Sequence, residues 1–276
     1  MQEINSPALW LKYFPNVKEN DHKYDRGYAV IAGSNISSGS TGASKLAAYA
    51  ALRSGAGLVS ITCDKETAPI YASSMSSVMV KIINHKSEFS NLIKEKKVKS
   101  ILIGPGNGTN HSTKNNVLEA LNLQKNLVLD ADALSIFQND PCELFNAINN
   151  DVVLTPHEGE FSRLFSLESN RLASAVNAAR LSNTTILLKG HDSIIASPDG
   201  SYVINKNAPA FLATAGSGDV LAGLVVGFMA QGVSGFMASC IACYVHSEAA
   251  KLFGAGLISE DLLEQIPQVI KKLQNM

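Results

Sequence analysis

The chain has 276 residues, of which 46% are hydrophobic and 17% are charged, and its formal net charge is −1. This length and composition predict one globular domain spanning residues 1–276 with a sizeable core, and they exclude a disordered chain. The near-zero charge leaves no basic surface for nucleic acid or an anionic membrane, so neither is expected as a partner. Any anion that binds must therefore be held locally, by backbone N–H groups or a few side chains.

Residues 1–20 lack a basic segment followed by an apolar run, so they do not resemble a secretory signal. The longest apolar stretch, residues 220–230, is too short to span a bilayer and is interrupted by glycines. The cysteines, 4 in a chain of this length, do not form a disulfide framework. We therefore expect a soluble, cytoplasmic protein.

Taken in chain order, short runs rich in Val, Ile and Leu alternate with amphipathic or Ala-rich segments. The strand-like runs are residues 28–33, 57–62, 98–104, 126–130, 151–155 and 184–189. The helical segments between them include residues 42–54, 113–123 and 158–167. This alternation predicts βαβ units, a parallel sheet and a layered α/β domain. Residues 193–197 and 201–205 flank Pro198-Asp199-Gly200 and predict an antiparallel hairpin near the C-terminal end of the sheet.

Polar and flexible residues follow most of these strands and supply glycines, carboxylates, a histidine and a lysine. They are residues 33–35, 104–108, 130–132, 155–160 and 189–192. Because the carboxyl ends of parallel strands lie at one edge of a sheet, we expect these groups to converge there. Groups of these types bind phosphates, hydroxyls and metal ions, so their convergence favours an enzyme site.

The segment Thr214-Ala215-Gly216-Ser217-Gly218-Asp219 runs directly into the apolar residues 220–224. A helix that begins here would direct unpaired N–H groups and about half a positive charge at a ligand. Gly216 and Gly218 would let that backbone approach a nucleotide phosphate. The same residues also suit an ordinary surface turn. The chain carries neither a P-loop motif nor a dinucleotide fingerprint after its first strand.

Asp219 is a candidate general base. The helix N-terminus would favour its anionic form at pH 7. The carboxylate could then accept a proton as an oxygen attacks phosphorus, an effect worth about 10²–10⁴ in rate. The alternative is a simple helix cap, worth about 1 kcal/mol of stability.

Further candidates follow two of the buried strands. The possible nucleotide contacts are Lys189, Gly190, His191, Asp192 and Ser193. An ordinary polar strand end is the alternative for this segment. His157 either contacts substrate or is a structural hydrogen-bonding group. Glu158 and Glu160 are either carboxylates near a bound Mg²⁺, which takes one or two such ligands, or solvated residues at a helix start.

Cys240, Cys243 and His246 share one face of an apolar helical segment. A metal site is disfavoured because no fourth ligand accompanies them, and a redox Cys-x-x-Cys motif would open a helix directly after a strand. We interpret them as small buried packing residues.

Several segments together carry a family resemblance. They are Gly42-Ala43, residues 50–59, Gly104-Pro105-Gly106-Asn107-Gly108, Leu129-Asp130-Ala131-Asp132-Ala133-Leu134, Thr155-Pro156-His157-Glu158-Gly159-Glu160, Leu188-Lys189-Gly190, residues 216–223, Asp261-Leu262 and Ile266-Pro267. These segments are spread in order along nearly the whole chain, and in them it resembles the ribokinase-like superfamily and, within it, the NAD(P)H-hydrate dehydratases. The resemblance implies a three-layer α/β/α sandwich with a mostly parallel central sheet and an antiparallel hairpin near its C-terminal part.

The resemblance also implies a repair reaction. The S-form of hydrated NADH or NADPH would be dehydrated with ADP or ATP as phosphoryl donor and Mg²⁺ as cofactor, ADP becoming AMP and phosphate. The hydrate site would be formed by Ala43, Gly106 or Gly108, His157 and Asp219. The nucleotide would contact Lys189, Gly190, His191, Asp192, Ser193, Gly216 and Gly218, with Glu160 serving the metal. Relatives suggest a homotetramer.

The chain departs from the family pattern in places. Ser135 stands where the family usually shows Asn, and residues 34–41 lack an aromatic residue that is often found there. Many relatives also carry an N-terminal epimerase domain, for which too few residues precede the first predicted strand, so a separate epimerase or none is expected. Two alternatives stay open: a kinase of the same superfamily acting on a vitamin-precursor alcohol, and a nucleotide-binding protein without turnover.

Overall fold

The computed structural model describes residues 2–34 and 40–276 and contains a 10-stranded sheet. The strands are β1 (Gln2–Ile4), β2 (Tyr28–Ala32), β3 (Leu58–Cys63), β4 (Met79–Ile82), β5 (Val98–Ile103), β6 (Asn126–Leu129), β7 (Val152–Leu154), β8 (Thr185–Leu188), β9 (Ser193–Ala196) and β10 (Tyr202–Asn205). Their order across the sheet is β1-β10-β9-β8-β7-β6-β5-β2-β3-β4. In this described part of the chain, β9 pairs antiparallel with both of its neighbours, and the other pairings are parallel.

Helices cover both faces of the sheet. They are α1 (Pro7–Trp10), α2 (Thr41–Arg53), α3 (Ala68–Ala72), α4 (Lys86–Lys94), α5 (His111–Asn122), α6 (Asp132–Ser135), α7 (Pro141–Ala147), α8 (Glu158–Leu164), α9 (Arg171–Ser182), α10 (Ser217–Ala230), α11 (Gly235–Phe253) and α12 (Ser259–Gln274). Side chains alternate across each strand, so Leu102 of β5 joins the core under α2, α10 and α11, whereas Ile101 and Ile103 join the core under α4 to α9. The predicted three-layer α/β/α sandwich is confirmed.

The predicted strands and the hairpin are present, each within about two residues of its expected bounds. Strands β1 and β4 were not predicted. Both lie at the ends of the sheet order, and the side chains of Met79, Lys81 and Ile82 in β4 are exposed. An edge strand of this kind lacks the continuous apolar run that marks a buried strand. In the described residues, no helix is long and apolar enough to cross a membrane.

The chain reverses its direction across the sheet between β2 and β5. Strands β3 and β4 extend to one side of β2, and β5 to β8 extend to the other. Ligands of open α/β sheets bind beyond the strand ends at such a switch point. Here the Asn107 amide donates to the carbonyl oxygens of Ala32 and Gly33 at 2.8 and 3.0 Å and accepts from the N–H of Gly104 at 2.7 Å. It therefore holds the ends of β2 and β5 together.

Helix α10 packs very closely against α2 because glycines leave room for the neighbouring backbone. A Cβ atom on Gly223 would lie 2.3 Å from the carbonyl oxygen of Ala47, and one on Gly227 would lie 2.1 Å from Ser54 Oγ. Both distances are far inside van der Waals contact. The glycines that interrupt the apolar stretch thus bring the first turn of α10 down to the ligand edge of the sheet.

We expect Gly223→Ala to destabilise the protein by about 1–3 kcal/mol, because its methyl group would force α10 away from α2. Gly42→Ala is the matched control. Gly42 is an exposed helical residue, and a Cβ added there would have no neighbour within 4 Å among the described residues, so alanine should be neutral or stabilising by up to about 1 kcal/mol. Urea unfolding measures both free energies. Equal values for the two variants would contradict this account of the helix pair.

Candidate active site

The first turn of α10 is fixed by tight backbone geometry and by two hydroxyl groups. Gly216, the N-cap residue, has φ +87°, and a Cβ there would lie 2.6 Å from Leu46 Cδ1. The hydroxyl of Ser217 donates to the carbonyl oxygen of Leu212 at 2.7 Å, and that of Ser259 donates to the carbonyl oxygen of Ala215 at 2.6 Å. Only glycine adopts this conformation without strain. The turn therefore meets a ligand as a rigid element.

A buried ion pair lies opposite this turn. Lys189, which follows β8, places its Nζ atom 2.7 Å from Oδ1 of Asp130, which follows β6. The same Nζ atom lies 3.8 Å from Oε2 of Glu160 in α8, which follows β7. Burial disfavours the charged ammonium, but attraction from Asp130 and Glu160 outweighs it, so the pKa of Lys189 is raised. Lys189 therefore stays charged at neutral pH.

Asp219 lies in the first turn of α10, half-buried, within the field of these groups. Burial is the main cause that raises the pKa of its carboxyl to about 6, repulsion from Asp130 adds to it, and attraction from Lys189 opposes it. With this pKa the carboxyl is still largely ionised at pH 7, but its surroundings disfavour the anion. The sequence analysis expected the helix N-terminus to favour the anionic form, whereas burial and like charges raise the pKa instead. A base with a pKa near 7 is better matched to proton transfer.

The loops after β5 and β6 are locked together beside this ion pair. Ala131 has φ +49° and ψ −114°, a strained conformation for a residue with a side chain. The carboxylate of Asp132 accepts a hydrogen bond from the N–H of Gly108 at 2.7 Å. A Cβ on Gly104 would lie 1.7 Å from the carbonyl oxygen of Asp130. The strain is thus held by contacts on both sides and orients the two aspartates.

The predicted hydrate-site residues lie at this same edge. Gly106 has φ +71°, and a Cβ there would lie 2.5 Å from the carbonyl oxygen of Ser40, just before α2. Ala43 is half-buried in the first turn of α2. The structure therefore brings the loop that contains Gly106 and Gly108 against the start of the helix that contains Ala43. The segment 34–41, which lacks the aromatic residue often found in the family, consists largely of residues 35–39, and these lie outside the described residues.

His157 has a structural role and also faces a cavity. Its Nδ1 atom accepts from the backbone N–H of Glu160 at 3.2 Å, and the backbone N–H of His157 donates to Oε2 of Glu160 at 2.9 Å, which forms a capping box at the start of α8. The remaining imidazole surface lines the cavity described next. Both interpretations offered for this histidine are therefore compatible with its position.

A cavity of about 700 Å³ opens beside Lys189 and Gly218 and extends under residues 208–214 to helix α11. Its lining includes the predicted residues His157, Lys189, Gly190, His191, Ser193 and Gly218, and also Asn205, Ala208, Pro209, Leu212, Leu221, Cys243, His246 and Ser247. This volume is typical of a pocket for a nucleotide-sized ligand. Asp192 is not among the lining residues; its carboxylate lies 2.9 Å from Nδ1 of His191.

Sequence reasoning missed the role of His246 and Cys243 as cavity-lining residues and treated them as packing residues only. Burial lowers the pKa of His246 to about 4 and raises the pKa of Cys243 to about 12, so both side chains are neutral at pH 7. Helical periodicity places them on the buried face of α11, but it cannot tell that a cavity lies beneath that face.

The excess of carboxylates around Lys189 gives partial support to the predicted metal role of Glu160. In the described parts of the chain, no three His, Cys, Asp or Glu side chains are grouped so that they could hold a metal ion by themselves. Asp130, Glu160 and Asp219 nevertheless surround Lys189, so carboxylates outnumber the ammonium. Such an excess of oxygen ligands suits Mg²⁺, which completes its shell with phosphates and water. The assignment of Glu160 stays a prediction.

Sheet order, helical layers and a ligand edge closed by the first turn of α10 define a ribokinase-like α/β protein. The family model described as NAD(P)H-hydrate dehydratase matches residues 28–271. The chain therefore belongs to the NAD(P)H-hydrate dehydratase family, as its motifs indicated.

Individual relatives agree with this assignment. The chain is 32% identical over 278 residues to the ADP-dependent (S)-NAD(P)H-hydrate dehydratase of Neisseria meningitidis serogroup B, covering 95% of this chain and 91% of that protein. It is 33% identical over 287 residues to the bifunctional NAD(P)H-hydrate repair enzyme Nnr of Moorella thermoacetica, covering 97% of this chain but only 54%, about half, of the relative. The crystal structure of ADP/ATP-dependent NAD(P)H-hydrate dehydratase from Bacillus subtilis, co-crystallised with ATP/Mg²⁺, superposes with a TM-score of 0.86 at 26% identity and 98% coverage of both chains.

We expect Lys189→Met to destabilise the protein by about 3–5 kcal/mol, because it leaves buried Asp130 without a cation. It should also raise the pKa of Asp219 above about 6, since the attraction that lowers this pKa is lost. Thermal unfolding and a carboxyl NMR titration measure the two effects.

Lys251→Met is the control for the lysine substitution. Lys251 pairs with Glu248 at the surface, so its replacement should cost less than about 1 kcal/mol and leave the pKa of Asp219 unchanged. An unchanged pKa in the Lys189 variant would show that the ammonium does not act on Asp219.

Proposed function

We propose that this protein catalyses the nucleotide-dependent dehydration of the S-form of hydrated NADH or NADPH, with ADP converted to AMP and phosphate. The observation that carries the proposal is the position of Asp219. It lies in the first turn of α10, within the field of Lys189 and Asp130, and directly follows Gly218, which lines a nucleotide-sized cavity. A base, a fixed cation and a helix N-terminus are what phosphoryl transfer to a hydroxyl group requires.

In the first step, the hydroxyl group of the hydrated ring attacks the terminal phosphorus of the nucleotide. Asp219 accepts the hydroxyl proton as the new oxygen–phosphorus bond forms and the bond to the departing AMP breaks. Loss of phosphate, together with a proton from the neighbouring carbon, then restores the ring double bond. Phosphorylation matters because it turns a poor leaving group into a good one.

The remaining residues bind and orient the two ligands. Gly216 and Gly218 present the start of α10 to the phosphates, with Lys189 beside them. Gly190, His191 and Ser193 follow the cavity wall toward the nucleoside. Mg²⁺, when bound, would neutralise phosphate charge, and Glu160 is the residue proposed to hold it, directly or through water. Ala43, Gly106 or Gly108, and His157 would receive the hydrate.

The relatives support this function over the alternatives. The Neisseria relative is named for ADP and the S-hydrate, and the Bacillus structure was obtained with ATP/Mg²⁺. A kinase acting on a stable alcohol would use the same loop and the same base, but its product would keep the phosphate. A binding protein would hold the nucleotide without turnover. Incubation with NADH hydrate, ADP and Mg²⁺ separates the three, because only a dehydratase restores the absorbance of the reduced nicotinamide ring and releases phosphate.

We expect Asp219→Asn to lower the dehydration rate by about 10²–10⁴ while ADP affinity changes little, because the amide accepts no proton. In the parent, the rate should fall as the pH drops below about 6, where the carboxyl becomes protonated. Steady-state kinetics and ADP calorimetry measure these effects. A variant rate within twofold of the parent rate would remove Asp219 from the mechanism.

The same variant should be more stable than the parent at pH 7.5. Because the folded state raises the pKa of Asp219 from 3.8 to about 6, ionisation of this carboxyl destabilises the fold as the pH rises through that interval. Asparagine removes this cost, and we expect the Tm to rise by about 2–4 °C at pH 7.5 but not at pH 4. Scanning calorimetry at the two pH values tests the sign.

We also propose a cytoplasmic homotetramer, in line with the exposed apolar side chains of Leu252 and Phe253 at the end of α11 and of Ile258 just before α12. Adjacent exposed apolar groups favour an interface between copies. Light scattering coupled to size exclusion should give the mass of four chains of 29.4 kDa. A monomeric mass at micromolar concentration would contradict the assembly.

A further inference from the structure

An arginine that no part of the mechanism uses connects the two ligand-binding loops. Arg171 is the first residue of α9, and Asn170 fixes the start of that helix by accepting from the N–H of Leu172 at 2.9 Å. Its Nη1 atom donates to the carbonyl oxygen of Asp192 at 2.9 Å, and its Nη2 atom donates to that of Lys189 at 3.1 Å. One guanidinium thus holds both ends of the proposed nucleotide loop.

The same guanidinium reaches the proposed hydrate loop. Its Nε atom lies 2.8 Å from Oε1 of Glu158, the residue directly after His157. The two loops are also joined through the backbone, because the N–H of Lys189 donates to the carbonyl oxygen of Pro156 at 2.8 Å. Arg171 therefore braces, from outside the cavity, two loops that both face into it.

The position of Arg171 is unfavourable for the helix that carries it. A helix N-terminus favours anions, so a cation at its first residue works against the helix dipole. The chain also makes room for Arg171 at Gly190, because a Cβ there would lie 2.3 Å from Nη2 of Arg171. The glycine that lines the cavity is therefore explained by the arginine packed behind it. An unfavourable helix charge and a required glycine beside a candidate site are typical of residues that are retained for function rather than for stability.

We propose that Arg171 is a positioning residue that clamps the nucleotide loop, Lys189 to Ser193, to the hydrate loop at His157 and Glu158. The proposal rests on the proposed function for the identity of the two ligands. A planar guanidinium suits this role because its two Nη groups donate in fixed directions to two carbonyl oxygens, while its charge attracts the carboxylate of Glu158. Lysine carries its three donors on a single nitrogen, so it lacks this fixed planar arrangement of donors.

The test compares Arg171→Met with Arg180→Met. Arg180 lies in the last turn of the same helix, and its guanidinium likewise packs behind a glycine, Gly200, but that glycine lies in the turn of the hairpin, a turn that does not line the cavity. We expect Arg171→Met to weaken ADP binding, measured by calorimetry with Mg²⁺, by about 10-fold to 100-fold, and to raise both KM values while kcat stays within about threefold. Arg180→Met should bind ADP as the parent does.

Two further variants separate the contacts. Glu158→Gln should raise the KM for NADH hydrate about twofold to fivefold and leave ADP affinity unchanged, because it cuts only the link to the hydrate loop. Arg171→Lys should recover part of the ADP affinity, and it also carries the test if Arg171→Met fails to fold.

Three results would overturn the clamp. The first is an ADP affinity within twofold of that of the parent in Arg171→Met, or in Arg171→Lys if only that variant folds. The second is a loss of ADP affinity in Arg180→Met equal to that in Arg171→Met. The third is an Arg171→Met variant in which kcat falls while ADP affinity and both KM values are unchanged. If the parent protein itself binds no ADP, the proposed function and the clamp both fail. If the parent binds ADP and dehydrates NADH hydrate while Arg171→Met is unchanged, the clamp alone fails.

Discussion

The ion pair between Lys189 and Asp130 is the interaction on which the rest of the site depends. Asp130 is almost fully buried and Lys189 is largely buried, and a buried charge of this kind is stable only when its partner stays in place. The pair joins the loops after β6 and β8, with Glu160 after the intervening β7. Through that arrangement a single ammonium balances several carboxylates, and the environment of Asp219 is set before any ligand arrives.

Packing on the other side of the site has an equally specific cause. Helix α10 reaches the ligand edge because Gly223 and Gly227 let it approach α2 more closely than any side chain would allow. Its first turn is then held by Gly216 and by two serine hydroxyls. The carboxyl of Asp219 is thereby placed where burial raises its pKa toward the working range of a general base. Stability is thus given up locally at the carboxyl that we propose as the base.

Loops that we propose to bind different ligands are tied to one another in this fold. Asn107 joins the ends of β2 and β5, Asp132 joins the loops after β5 and β6, and Arg171 joins the loops after β7 and β8. Each of these side chains satisfies backbone groups rather than pointing at a ligand. A rigid edge of this sort lowers the entropy that must be lost when two large anions are aligned for reaction.

Much of the fold and part of the site could be read from the sequence. Continuous apolar runs predicted the buried strands, and Asp-Gly predicted the hairpin of β9 and β10, because both signals are local. The edge strands β1 and β4 were missed, since their pairing depends on neighbours rather than on their own pattern. Lys189 and Asp219 were found from motifs, whereas the role of Asp130 as the partner of Lys189 was not, because 59 residues separate them in the chain.

By itself, the sequence determined the alternation of strands and helices, the Gly-rich start of α10 and the family to which the chain belongs. These depend on residue type and short spacing, which folding does not alter. Only the tertiary structure decided that burial, rather than the helix N-terminus, dominates the pKa of Asp219, that His246 lines a cavity, and that Arg171 bridges two loops. Burial, charge neighbours and cavities are properties of groups brought together from distant parts of the chain, so no local pattern encodes them.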